Sequence, residues 1–352
     1  MEKNYDFCVI GGGYGGLIAS LNALRNNLTV AVVERRPKVG GTCLFEGCIP
    51  SKCLLNSSNK FYEVKNSMAK LGVICQNVSH DYDAMMKKKT DLLEAMGNNN
   101  TNKLKNLGAE IFRGWGKVIS KNEVEVNEVD ESGNSNGKKT IVHCKNIILN
   151  MGGESATLPG NSIPVDGVNV ITSEHALSLK KLPKTMIIVG GGFIGLELGS
   201  HYSRLGTEVT IVEFFDRVLT VFDGEISKKI KEILEGQGIK FQLSSKVTGG
   251  KVVGDHVEVE VEDAAGGNKR TLSSEKLFIA TGRRPLTRNC GLEEVGVQMD
   301  KFGRVLINEK MQSNIPNIYA VGDVTSNGPP LAHKAEDEAL ALIDQFLGNF
   351  IV

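Results

Sequence analysis

An α/β fold of two Rossmann-like dinucleotide domains is predicted by three observations. Residues 7–34, FCVIGGGYGGLIASLNALRNNLTVAVVE, align without a gap on residues 186–213, MIIVGGGFIGLELGSHYSRLGTEVTIVE. Each copy runs from a short apolar, β-prone stretch through G-x-G-x-x-G into an amphipathic helix, then into a second strand that ends in glutamate. Glycine supplies 40 of the 352 residues without a collagen-like period, which points to tight turns and to places where backbone approaches a ligand.

Within each fingerprint the glycines have separate tasks. Gly11 and Gly190 permit the tight turn, Gly13 and Gly192 let backbone N–H groups approach a pyrophosphate, and Gly16 and Gly195 allow close packing of helix on strand. The phosphates then rest on a helix N-terminus. Glu34 and Glu213 close the second strands, where a carboxylate accepts from ribose hydroxyls and repels a 2′-phosphate, so the second site reads as one for NAD rather than NADP.

Between the copies, HDYDAMMKKKTDLLEAMGNNNTNKLKNLG reads as a helix whose lysines form a solvated face. EVEVNEVDESGNSNGKKTIVHCKNIILN then alternates as strands around a polar loop at 130–139, a meander returning to the first sheet, and a second such unit spans 240–280.

The stretch GGTCLFEGCIPSKC sets Cys43 and Cys48 with four residues between them, about ten residues past Glu34. A zinc site would need a second pair or histidines at matching spacing, and there is none. A structural staple over so short a loop removes little chain entropy. A redox pair beside the cofactor of the first βαβ unit is favoured, with flavin as the chemical inference. Pro50 suits the first turn of a helix, which sets Cys48 just before a helix N-terminus, where the macrodipole favours thiolate, with Lys52 as a cation one turn away. Cys8, Cys75, Cys144 and Cys290 read as small buried or incidental hydrophobes.

GGTCLFEGCIPSK, both fingerprints, ATGRRP at 280–285, NIYAVGDV at 317–324 and LAHKAEDE at 331–338 together resemble the dihydrolipoamide dehydrogenases, within the pyridine nucleotide-disulfide oxidoreductases, over essentially the whole chain. The resemblance implies a glutathione reductase-like layout: an FAD-binding domain at 1–152, an NAD-binding domain at 153–279, and a returning segment at 280–352 that completes the first. It implies Cys43 as the interchange thiol that meets a dithiol substrate, Cys48 as the flavin-proximal thiol, Lys52 near the flavin N5 edge and Glu197 as the partner of that lysine. Gly11, Gly13, Gly16, Glu34, Thr42, Lys52, Gly116, Gly152, Asp323, Leu331, Ala332 and His333 are then expected around FAD. Gly190, Gly192, Gly195, Glu197, Glu213, Val247 and Gly282 are expected around NAD. The implied partners are the lipoyl domain of a 2-oxoacid dehydrogenase or glycine cleavage complex and a second copy of the chain. The implied compartment is the mitochondrial matrix, a related organelle or the cytoplasm.

The chain also departs from that pattern. It stops at IDQFLGNFIV, where the family continues into a dimer-interface domain carrying a His–Glu dyad, and none of His80, His143, His175, His201 or His256 sits in a motif that replaces the dyad. The expectation is therefore FAD- and NADH-dependent hydride transfer with impaired oxidation of dihydrolipoamide. The alternatives are an NADH:acceptor diaphorase and a non-catalytic binding subunit. Phe45-Glu46 stand in place of Asn-Val, Asn150-Met151-Gly152-Gly153 in place of A-T-G-S, and Cys53 in place of alanine. Glu46 is expected to disfavour a second negative charge at Cys48.

Composition narrows the partners. Lysine plus arginine equals aspartate plus glutamate at 41 each, so no broad field draws the chain to nucleic acid or an anionic membrane. No apolar run approaches the ~20 residues that span a bilayer. MEKNYDFCVIGGG carries acids early and enters a strand at once, unlike a signal or transit peptide.

Overall fold

Strands and helices alternate as the two fingerprints require. The computed structural model describes residues 3–349. In chain order the elements are β1 (Asn4–Ile10), α1 (Tyr14–Arg25), β2 (Val30–Glu34), α2 (Gly41–Phe45), α3 (Cys48–Asn66), α4 (Tyr82–Asn106), β3 (Glu110–Ser120), β4 (Glu123–Val129) and β5 (Ser135–Leu149). There follow β6 (Gly153–Ser155), β7 (Val170–Ile171), α5 (Ser173–Ala176), β8 (Thr185–Val189), α6 (Phe193–Arg204), β9 (Glu208–Val212), α7 (Gly224–Gly236), β10 (Lys240–Gln242), β11 (Ser245–Val253), β12 (His256–Asp263), β13 (Arg270–Ser274) and β14 (Lys276–Ile279). The chain closes with β15 (Arg283–Pro285), β16 (Ile318–Ala320), a 3-10 turn at Gly322–Val324 and α8 (Ala332–Phe346).

The chain divides into two compact units: residues 1–45, 93–154 and 284–352 form the first, and residues 46–92 and 155–283 the second. The outer boundaries lie close to those read from the sequence, but residues 46–92 do not stay with the first unit as expected. Their apolar side chains explain it, because Leu54 of α3 is buried in the same core as Ile188, Leu196, Tyr202 and Ile211.

In the first unit β1 pairs in parallel with β2 on one side and β5 on the other, β16 adds in parallel to β5, and β3 starts parallel to β2. Beyond Arg113, β3 joins β4 and β5 in the expected antiparallel meander. Period-two alternation divides β1 between two cores: Phe7 and Val9 pack against α1 and α8, while Cys8 and Ile10 face the meander side with Cys144 and Cys290. Burial pushes the Cys290 thiol up to about 11, in keeping with an inert packed side chain.

The second unit repeats the design as a parallel sheet in the order β10-β9-β8-β14-β7, with a separate antiparallel sheet β11-β12-β13. Met186 and Ile188 of β8 face one core and Ile187 and Val189 the other. The lysines of α4 do not all form a solvated face as expected: Lys87 and Lys88 are exposed, but Lys89 is buried and its Nζ donates to the Leu177 carbonyl at 2.7 Å. Its long apolar stem lets it lie under α5 while the ammonium finds a partner. No described helix is long and apolar enough to cross a membrane.

Candidate functional site: two dinucleotide cradles

Each fingerprint sits at the carboxyl ends of its parallel strands, where open α/β sheets bind ligands. In the first unit the chain leaves β1 at Gly11, whose φ of +102° only glycine adopts freely. A methyl group on Gly16 would collide with the Gly11 carbonyl oxygen, so helix and turn meet at backbone contact. Gly13 is the N-cap of α1, with extended backbone and no side-chain capping bond, which leaves the first turn of the helix dependent on another partner. That is the arrangement expected of an anion cradle.

The rim of this cradle is closed by Glu34, 5% exposed at the end of β2. Its Oε2 accepts from Gly12 N at 2.8 Å and its Oε1 from Arg36 N at 2.8 Å. Gly40 N donates to the Gly12 carbonyl at 2.8 Å, and Gly41, at φ +60°, lies so close to Gly13 that an added Cβ would stand 2.6 Å from its Cα. The sequence reading missed this role for the GG of GGTC, although a doubled glycine directly before a short helix was the available signal. Thr42 and Cys43 follow in α2, both half-buried.

Except for Lys52, which belongs to the second unit, the other residues expected around the first cofactor belong to the same unit. Gly116 lies on β3, where a Cβ would stand 2.9 Å from Ile10 Cγ2. Gly152, at φ +73°, follows β5, and Asp323 lies in the 3-10 turn after β16, with one carboxylate oxygen 3.6 Å from where a Cβ on Gly153 would be. Leu331 is the N-cap of α8, and Ala332 and His333 open that helix, with the His333 side chain 94% exposed and its Nδ1 3.7 Å from Glu336. The N–H of Gly322 donates to Glu338 at 2.7 Å, and the Lys334 ammonium binds the same carboxylate, which ties the 3-10 turn to α8.

The second unit reproduces the cradle nearly bond for bond. Gly190 has φ +110°, Gly192 caps α6 with no side-chain bond, and a methyl on Gly195 would collide with the Gly190 carbonyl. Glu213, 8% exposed, accepts from Gly191 N at 2.5 Å and from Phe215 N at 2.9 Å, and Leu219 N donates to the Gly191 carbonyl. Gly282, at φ +123°, follows β14, and Val247 lies half-buried on β11. Phe193, Phe214, Phe215 and Phe222 are 40–53% exposed around this rim, with Phe193 and Phe222 edge to face at 5.3 Å. None of these aromatics was singled out from the sequence, although Phe214-Phe215 directly follow Glu213.

Of the redox residues, Cys48 is exposed and is the first residue of α3 rather than the residue before it; Pro50 lies in its first turn. Lys52, one turn on, binds both carboxylate oxygens of Glu197 on α6 at 2.7 and 2.8 Å. Both partners belong to the second unit, with side chains 62% and 33% exposed. Phe45 lies against α4, where a Cβ on Gly97 would stand 2.8 Å from its Cζ. Among the described residues no group of three His, Cys, Asp or Glu is placed to hold a metal ion.

Comparison with known proteins agrees with these two cradles. Residues 5–339 match the family described as pyridine nucleotide-disulphide oxidoreductase. The mitochondrial dihydrolipoyl dehydrogenase of Pisum sativum is 38% identical over 344 residues, 98% of this chain and 67% of its own length. That of Dictyostelium discoideum is 43% identical over 97% of this chain and 69% of its own length. Leghemoglobin reductase of Vigna unguiculata is 39% identical over 98% and 64%. The chain therefore spans about two thirds of the length of these relatives. Among solved structures, the HOCl-induced flavoprotein disulfide reductase RclA of Escherichia coli superimposes with a TM-score of 0.83 at 25% identity, over 99% of this chain and 72% of that one. FAD and NAD(H), the cofactors of the matched family, fit the uncapped helix N-termini, positive-φ glycines and rim carboxylates of the two cradles. With its duplicated fingerprint and its cysteine pair, the chain belongs to the pyridine nucleotide-disulphide oxidoreductase family.

Proposed function

We propose that the chain oxidises a dihydrolipoyl group and reduces NAD⁺, with FAD held by the first unit and NAD by the second. The observation that carries this reading is the start of α3: Cys48 at the helix N-terminus, and Lys52 one turn later held by Glu197. A helix N-terminus and a nearby ammonium both favour thiolate over thiol, which suits a cysteine that must accept and release electrons.

In the proposed cycle a substrate dithiol attacks the Cys43–Cys48 disulfide through Cys43 Sγ, forming a mixed disulfide and releasing Cys48 as thiolate. The second substrate thiol then displaces Cys43, which leaves a cyclic substrate disulfide and a reduced cysteine pair. FAD, when bound, relays the two electrons from the pair to the nicotinamide. The balance is dithiol plus NAD⁺ giving disulfide, NADH and one proton. Glu34, Thr42, Gly116, Gly152, Asp323 and residues 331–333 are assigned to FAD, and Glu213, Val247 and Gly282 to NAD. The ammonium of Lys52, oriented by Glu197, is assigned to holding negative charge at the redox centre. The partner is assigned as a lipoyl domain, and the mitochondrial relatives favour the matrix of that organelle.

The test is anaerobic addition of NADH to the FAD-loaded chain, followed by alkylation and mass spectrometry. Labels are expected on Cys43 and Cys48 only after NADH, together with NADH formation from dihydrolipoamide and NAD⁺ that is lost in Cys48→Ser. NADH oxidation by a dye without new labels would instead make the chain an acceptor reductase with no disulfide step.

A further inference from the structure

The two cradles share one backbone but differ in the residue that follows the central strand, Asn150 after β5 and Ala280 after β14. Both support the turn through their backbone: an added Cβ would strike the Asn150 carbonyl oxygen from Gly11 and the Ala280 carbonyl oxygen from Gly190. Only Asn150 adds a side chain. It is 7% exposed, and its Nδ2 donates to the Gly11 carbonyl at 3.0 Å. Cβ atoms built on Gly16 and Gly13 would stand 2.8 and 3.4 Å from Nδ2, and those on Gly15 and Gly322 would stand 2.6 and 3.5 Å from Oδ1. The carboxamide therefore fills the inside of the turn, beneath the N-terminus of α1 and beside the 3-10 turn that carries Asp323.

The sequence of the turn follows from this. The first fingerprint reads GGGYGG and the second GGGFIG, so glycine at 15 is replaced by Ile194 where alanine replaces asparagine. A side chain at 15 would meet both the Asn150 oxygen and, at 2.9 Å, the Ala335 carbonyl of α8.

We infer that Asn150 is a positioning residue for the FAD pyrophosphate: its carboxamide locks the Gly11–Gly16 turn from within. The second cradle leaves the same task to backbone alone. The inference rests on the assignment of FAD to the first unit. One buried hydrogen bond sets the scale, so Asn150→Ala should weaken FAD binding to apoprotein about three- to tenfold. Asn150→Asp keeps the volume but turns the donor toward Gly11 into an acceptor, and should weaken it at least as much.

Three measurements test this on the full chain: FAD titration of apoprotein, NADH binding as a control on the second unit, and hydrogen exchange of the 11–17 amides without cofactor. The expected result is weaker FAD binding and faster exchange at 11–17, with NADH affinity within a factor of two of wild type. Unchanged FAD affinity and unchanged exchange in both variants would overturn the proposal. So would parallel losses of FAD and NADH affinity, which would mark Asn150 as a general stability residue. Wild-type protein that fails to bind FAD would sink the cofactor assignment instead, while the exchange at 11–17 still reports on the lock.

Discussion

The two βαβ units solve one problem with the same backbone and then use equivalent positions differently. Counting from the aligned fingerprints, Glu34 and Glu213 make the same pair of backbone bonds, and Gly40 and Leu219 make the same closing bond. Elsewhere the copies diverge: Ile18 against Glu197, Asn22 against His201, Arg35-Arg36 against Phe214-Phe215. Ile18 packs on the core of its unit, whereas Glu197 binds Lys52. Arg35 stacks on the Trp115 ring at 4.9 Å, whereas Phe214 and Phe215 stand exposed against one another. Positions that contact backbone are constrained by the turn itself, and positions on the helix flank are free to differ between the units.

The largest divergence in energy is at His201. Its ring is fully buried and neither nitrogen makes a hydrogen bond, while Asn22 in the other copy is only half-buried and reaches Asp344 at 3.3 Å. Burial pulls the His201 imidazole down from an ordinary 6.5 to about 4; the Leu54 backbone opposes this and the Arg204 charge adds to it. The folded state therefore holds the ring neutral, and its contribution is complete above pH 6.5, where the unfolded chain is neutral too. As pH falls from 6.5 through 4 the unfolded chain takes up the proton first, and about 3 kcal/mol of stability is lost from the second unit. Protection of β8 and β9 amides, taken relative to the slower intrinsic exchange at acid pH, should fall over this range, and His201→Asn should flatten the response. Equal acid sensitivity of wild type and variant would show that the two copies do not differ here.

A smaller effect tests what the copies share. A methyl on Gly16 or Gly195 forces apart a helix and a turn that meet backbone to backbone. Overpacking of this kind costs about 1–3 kcal/mol, or one to two orders of magnitude in affinity when the strain falls on a binding turn. Gly16→Ala should lower FAD affinity and spare NADH, and Gly195→Ala should do the reverse, measured by flavin retention and NADH fluorescence. If either variant loses both ligands together, the cradles are not independent binding units.

How far the sequence could be read follows the same division. The repeat, the turn glycines and the closing glutamates were legible because sterics leave glycine no substitute at the φ of +102° and +110° of Gly11 and Gly190 or at the backbone contacts of Gly16 and Gly195, and because the strand–helix–strand pattern has a fixed length. The Lys52–Glu197 pair was legible only through a family resemblance, since nothing local says that α3 packs on α6. The association of residues 46–92 with the second unit was not legible, because it depends on where Leu54 finds its core. Nor was the burial of Lys89, whose partner is a backbone carbonyl 88 residues away. Asn150 could be seen as unusual, but its meaning appeared only when five glycines were found around one carboxamide.

The smallest expected effect on stability is the most informative about function. Lys52 and Glu197 are 62% and 33% exposed, and an ion pair so open to water contributes about 0–1 kcal/mol. Glu197→Ile, which copies Ile18 of the first repeat, should therefore leave the denaturation midpoint of the second unit nearly unchanged. An acidic residue kept at a core-flanking position for so little stability is explained by what it does to Lys52, one turn from Cys48. The same variant should slow NADH-dependent unmasking of Cys43 and Cys48 by at least tenfold, while Glu197→Gln, which still accepts from the ammonium, should fall between. A large loss of stability with a normal unmasking rate would reverse the assignment and make the pair a structural clasp between α3 and α6.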